Sequence, residues 1–207
     1  MIFNYQELIL DTLASLQRVM VGGLLAMLLG VITGLLRYQL PQFLKRNHIF
    51  NFCIDVFKFP PPLAYIPFVI LLLGIGAKAA IAIVIIGVFP AVHLNTYEAL
   101  NHVKKEIIDT AKSLELNKKE MIWNIYFPAI MPQIFTGIRS GFTMGWMSII
   151  AAEMISGDKG LGYALQAHRL NLNLQAMIIN MIMIGFVGFL INLGFQSLEA
   201  RMVKWKV

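Results

Sequence analysis

Five apolar stretches, each about long enough to cross a bilayer, leave this chain very few ways to satisfy its own backbone. They run near Leu16–Leu36, Val56–Leu73, Ala79–Leu100, Ile134–Ile155 and Gln175–Leu198. In lipid, only helices and closed barrels bond every peptide group internally. These runs are too long and too continuous for barrel strands, which alternate over roughly ten residues. The expected fold class is an all-α membrane protein of about five transmembrane helices, with residues 1–207 forming a single transmembrane domain. Composition agrees. Hydrophobic residues make up 58% and charged residues 14%, with a mean hydropathy of +0.71, where a soluble domain has roughly 45–50% and about 25%.

The charges say which way the spans point. One set of loops holds twelve basic residues: Arg37, Lys45, Arg46, Lys58, Lys104, Lys105, Lys112, Lys118, Lys119, Arg201, Lys204 and Lys206. The opposite set holds four, Arg18, Lys78, Lys159 and Arg169, with Arg139 inside the fourth span. The positive-inside rule makes the first set cytoplasmic, so the N-terminus is expected outside and the C-terminus inside. The net charge of +6 belongs to this bias; scattered between apolar runs, it does not form a nucleic-acid face. A single cysteine, Cys53, excludes an internal disulfide and a cysteine-built metal site. The start, "MIFNYQELILDTL", has acidic Glu7 and Asp11 and no basic region, unlike a cleaved signal.

Between the third and fourth spans lies an unexpected insert. From Lys104 to Glu120 there are nine charged residues, on the side assigned to the cytoplasm. Ile107, Ala111, Leu114, Met121, Ile122 and Ile125 fall near one helical face. Asn117 and Glu120 have the spacing of a capping box. Two short helices are expected, broken near Glu115–Asn117, the second ending before Pro128. Such a segment either lies in the lipid headgroups or docks a cytoplasmic partner.

Other features carry less. Gly137, Gly141 and Gly145, and Ala26, Gly30 and Gly34, recur every four residues, a spacing that lets helix backbones approach within the subunit or with a second copy. Arg139 and Glu153 are ionisable residues inside a span; they face a cavity or partner, or snorkel to water near its ends. The prolines Pro60–Pro62 and Pro67 break regular bonding at the start of the second span, which is tolerated at depth only against protein or a water-filled cavity. His48, His93, His102 and His168 lack metal-ligand spacing and read as interfacial or packing residues. No Walker or nucleophile-elbow motif is present, so no catalytic residue and no metal site are expected.

The stretch "DTAKSLELNKKEMIWNIYFPAIMP" (Asp109–Pro132) resembles the cytoplasmic EAA loop of ABC-importer permeases, E-A-A-(x)3-G-(x)9-I-x-L-P. Asp109, Thr110 and Ala111 stand at E-A-A, and Ile125, Phe127 and Pro128 keep the spacing of the last element. "SLQRVMVGGLLAMLLGVITGLL", "PPLAYIPFVILLLGIGAKA", "FPAVHLNTYEAL", "PAIMPQIFTGIRSGFTMGWMSIIAAEMI", "GLGYAL" and the basic tail "EARMVKWKV" extend the likeness to the nitrate/sulfonate/taurine-type subfamily. A glycine-betaine- or methionine-type permease shares length and loop, but the Trp146–Glu153 segment favours the first. A stand-alone secondary carrier would commonly show repeated halves, which are not found.

The resemblance implies a methionine-importer-like permease fold in a prokaryotic plasma (inner) membrane. It implies a homodimer with two cytoplasmic ATPase subunits, which bind the ATP and Mg, and an external solute-binding protein. The transported solute would be a small nitrate-, sulfonate- or taurine-like anion or related organic molecule. Asp109, Thr110, Ala111, Leu114, Glu115 and Pro128 in the loop 101–132 would couple to the ATPase; Arg139, Trp146 and Glu153 are pathway candidates. The likeness begins near Leu13, without the extra N-terminal span many relatives carry. The family glycine is replaced by Glu115, so either a glutamate adopts the left-handed conformation at a cost of about 1 kcal/mol or the turn differs.

Overall fold

In the computed structural model, residues 5–45, 47, 49, 51–52, 56 and 59–203 are described. Arg46, His48, Cys53, Lys58, Lys204 and Lys206 lie outside the described residues, as do the side chains of Lys45, Thr110, Lys112 and Lys118. The described chain is helical, with no strand. Its α-helices of eight residues or more are α1 (Tyr5–Gln39), α2 (Ile66–Leu73, entered through a 3-10 turn at Pro62–Tyr65), α3 (Ala77–Asn101), α4 (Lys105–Ser113), α5 (Phe127–Ser156), α6 (Leu161–Leu170) and α7 (Leu174–Met202).

Three of these, α1, α3 and α7, are long and apolar enough to cross a membrane. At 35 residues, α1 is about 52 Å long, well beyond a hydrocarbon core of about 30 Å. It begins before and ends after the apolar run, because helical bonding continues where hydropathy stops. The 30 residues of α5 are long enough too, though Arg139, Glu153 and interspersed Ser and Thr make it less apolar. The expected second span is shorter than its apolar run: α2 has eight residues, and residues 57–58 lie outside the described set.

Size, more than polarity, sorts the faces of α1. Val19 and Ala26 are 0% exposed, and Gly22, Gly23, Gly30 and Gly34 are buried with them. Leu24, Leu25, Leu28, Leu29, Ile32 and Leu36 point outward. Large apolar residues cost nothing against lipid tails, whereas small ones let backbones approach and gain dispersion contacts. Both small-residue stripes lie against α3. A Cβ on Gly30 would sit 2.8 Å from Val92, one on Gly34 2.8 Å from Thr96, and one on Gly145 2.6 Å from Val88. A Cβ on Gly137 would sit 2.6 Å from Asn95, and one on Gly141 3.0 Å from the Val88 carbonyl. Thus α3 is held between α1 and α5, with Val84, Val88 and Val92 wholly buried. A tilted aromatic pair, Phe142 and Phe195, 4.4 Å between centroids, joins α5 to α7.

One local expectation is corrected. The helix after Asn117 does not end before Pro128. It runs from Lys118–Glu120 through a π-helical segment, Met121–Tyr126, directly into α5. Pro128 has no N–H to give and its ring crowds the carbonyl four residues earlier. The widened π turn absorbs both: the Phe127 N–H donates to Ile122 O, five residues back. Proline here reshapes the helix without breaking it.

Candidate functional site

The charged insert folds as two helical pieces around a tight stop. Among the described side chains of α4, Ala111 is the buried one, at 1% exposure, and α4 packs on the π-helical segment. Ile107 on α4 and Leu114 in the turn just past its end stay 41% and 67% exposed. Trp123 and Phe127 form a tilted aromatic pair at 5.4 Å, and both remain partly exposed. Asp109 is exposed, its carbonyl accepting from Ser113 Oγ at 3.0 Å. Pro128 opens α5.

The stop and restart are encoded locally. Glu115 has φ 52°, the left-handed conformation, so the turn keeps the geometry a glycine would give and imposes it on a glutamate. Two residues later the Asn117 N–H donates to Glu120 Oε2 and the Glu120 N–H donates to Asn117 Oδ1, both at 2.9 Å. That reciprocal pair is the expected capping box. Relieving the left-handed glutamate should firm the turn: Glu115→Gly is expected to stabilise it by about 0.5–1 kcal/mol, the left-handed penalty less the extra entropy of glycine. Amide exchange across Lys105–Ser113 should slow about two- to fivefold; unchanged or faster exchange would show that the conformation carries no strain.

At the far end of α5 lies a polar knot that sequence reasoning only half found. Glu153 is 0% exposed. Its carboxylate accepts from Ser15 Oγ at 2.7 Å, Arg18 Nη1 at 3.1 Å and the Gly162 amide at 3.1 Å. Arg18 also donates to Lys159 O at 2.7 Å and Asp158 Oδ1 at 2.7 Å. Ser15 Oγ accepts from the Leu161 amide and Asp11 Oδ1 from the Gly160 amide, each at 2.9 Å. The loop 157–162 is thereby tied to α1 by its own peptide groups. Gly160, at φ 115°, could carry no side chain: a Cβ there would fall on the Glu153 carboxylate. Burial alone would raise the Asp158 carboxyl, but the Arg18 hydrogen bond and charge, with the Asp158 and Lys159 amides, hold it below its ordinary value. Its bond to Arg18 therefore contributes at neutral pH and is lost only as pH falls through that depressed value.

A second knot joins α1 to α3. Thr33 Oγ1 donates to Leu29 O at 2.7 Å, so toward His93 Nδ1, 2.8 Å away, it accepts. His93 is then an Nδ1–H tautomer, and its Nε2 accepts from Arg37 Nη1 at 3.3 Å. Arg37 Nη2 donates to Asn51 Oδ1 at 3.0 Å, and its guanidinium lies 4.3 Å from the Tyr97 ring centroid. Distances of 56 to 60 residues in sequence hid this cluster; a histidine inside an apolar run, His93, was its signal.

The three pathway candidates occupy different settings. Arg139 has a side chain 37% exposed and lies 3.8 Å from Glu199 on α7. Trp146 is 6% exposed, its Nε1 donating to Ile184 O at 3.1 Å. Glu153 is sealed in the knot. They are not brought together.

Among the described residues no cluster of His, Cys, Asp and Glu could hold a metal ion. Residues 26–204 match the family described as the binding-protein-dependent transport system inner membrane component. The chain is 29% identical to the taurine transport system permease protein TauC of Escherichia coli (strain K12), over 93% of this chain and 69% of that protein. It is 33% identical to the nitrate import permease protein NrtB of Synechocystis sp., over 92% of this chain and 68% of that one. Its fold is similar to a chain of the inward-facing MetNI methionine ABC transporter, with a TM-score of 0.77 at 18% identity, over 97% of this chain and 96% of the other.

Proposed function

The chain belongs to the binding-protein-dependent transport system inner membrane component family, and from that premise we propose that its charged insert is the coupling element through which a separate ATPase drives transport. It is an ABC-importer permease with the fold of the MetNI permease chain, a component of an inner membrane. The observation that supports coupling is the insert itself: a short helix with Ile107 exposed on it and Leu114 exposed just past its end, turned at Glu115 and restarted by the Asn117–Glu120 box. A rigid apolar ridge among charges suits a groove on another protein.

In this reading Asp109, Thr110, Ala111, Leu114, Glu115 and Pro128 form or support the contact. Two permease copies associate with two ATPase subunits, which bind ATP and Mg, and an external binding protein delivers solute. The N-terminus lies outside and the C-terminus in the cytoplasm of a prokaryotic cell, as the Lys and Arg distribution favours. The solute is a small anion or zwitterion of the nitrate, sulfonate or taurine kind, the class named for the relatives. Arg139, with its half-exposed guanidinium, is the pathway candidate best placed to meet such a solute. Trp146 and Glu153 act through the packing of α5.

The test is recovery and dependence. A tagged subunit purified from native membranes should bring down an ATPase, and uptake of labelled taurine or nitrate should cease when that ATPase gene is deleted. Uptake that continued unchanged without it would make the chain a secondary carrier.

A further inference from the structure

Three prolines gather around one cavity. Pro60 and Pro62, Ile86, Pro90 and Ala91 of α3, and Met144 of α5 border a space of about 230 Å3. Pro90 lies inside α3 and has no N–H, so the carbonyl four residues earlier, on Ile86, receives no ladder bond from it. Pro60 and Pro62 likewise offer no amide donors. A peptide acceptor deprived of its helix partner costs several kcal/mol in hydrocarbon and is tolerated where it meets water. Ile86 borders the space in which that water would stand. None of its bordering residues is charged, and Met144 is half-exposed beside it. The brevity of α2, eight residues, leaves the Pro60–Pro62 side of the space to irregular chain.

We propose that this cavity is a segment of the solute pathway, in which a small hydrated solute passes along α3 at Pro90 while the Ile86 carbonyl accepts a hydrogen bond from its water or from an N–H or O–H it carries. A wall of aliphatic groups and a peptide carbonyl, without a fixed cation, gives an anion passage without a resting place. Selection by charge then belongs elsewhere. The assignment rests on the permease reading.

The test uses the whole complex with its ATPase, in inside-out vesicles, with Cys53→Ser as background. Single cysteines Ala91→Cys, Leu94→Cys (Leu94 borders the same space) and Met144→Cys are treated with a charged, membrane-impermeant thiosulfonate. The comparison is Leu71→Cys, an apolar position 85% exposed on α2. The three cavity positions are expected to react at least a hundredfold faster than position 71. Their rates should also change at least tenfold between the nucleotide-free and vanadate-trapped complexes, since a pathway segment opens and closes with the cycle. Reaction as slow as at Leu71→Cys in a complex that still hydrolyses ATP would overturn the pathway assignment and leave the permease reading intact. Fast reaction that ignores nucleotide would overturn it too, marking a wet crevice outside the gate. Absence of any associated ATPase would instead remove the permease reading itself.

Discussion

Glu153→Ala is expected to leave little folded protein in the membrane. The carboxylate is 0% exposed and takes bonds from Ser15, Arg18 and Gly162. Removing it takes the buried carboxylate from a largely buried guanidinium, which keeps only Asp158 and Lys159 O, strands the Gly162 amide, and leaves a gap where α1, α5 and the 157–162 loop meet. Breaking one side of a buried pair costs about 3–5 kcal/mol, a large part of the roughly 5–15 kcal/mol that holds a folded domain. Membrane abundance by immunoblot should fall severalfold, and the melting point in detergent should drop by many degrees. Glu153→Gln keeps the shape and should lie between. A double change to apolar residues, Arg18→Met with Glu153→Leu, should recover part of the loss, because no buried charge is left, while the Gly162 amide stays unpaired. Normal abundance and melting for Glu153→Ala would mean that the knot is ornamental.

The second large effect is the opposite kind, loss of activity without loss of fold. Leu114 is 67% exposed, so Leu114→Glu should alter stability by no more than about 0.5 kcal/mol. If Leu114 is an anchor in a partner's groove, its replacement by a charge should cost at least about 2 kcal/mol of association, roughly thirtyfold. ATPase recovery should drop by about that factor and solute uptake by more than tenfold, at unchanged abundance. Ala111 is a poorer probe, because at 1% exposure any larger residue would first unseat α4. Uptake and recovery at the level of the unaltered chain would remove Leu114 from the interface.

What could be read from the sequence was whatever acts over a few residues. The Asn117–Glu120 cap spans three positions and was legible as it stands. Glu115 is marked by its place in a spaced motif, which leaves open whether the turn differs; the structure settles on the left-handed φ. The four-residue stripes of glycine marked helix contacts but not which helix they would meet; both meet α3. Long-range chemistry was not legible. Glu153 drew notice as a charge within a span, yet its partner Arg18 lies 135 residues away and read only as a loop cation. Nothing local to the glycine-rich loop 157–162 marks that its amides and Asp158 hold α1. Pro128 misled because a proline rule that holds for α-helices does not forbid a π turn.

That π turn has a mechanical consequence. From Phe127 to Ser156, α5 is one beam of 30 residues, about 45 Å long. Its far end is riveted to α1 through Glu153, and its near end carries the segment against which α4 packs. Pro132, six residues into α5, removes one ladder bond, so compliance gathers toward the near end of the beam. The rivet is stiff, made of short bonds to a buried carboxylate. The π turn is the softer joint, with a wider bore and i→i+5 bonds in place of the tighter ladder. A displacement of the insert would thus swing α5 as a unit about its clamped end, with the angle of swing set by how far six residues, Met121–Tyr126, can wind or unwind.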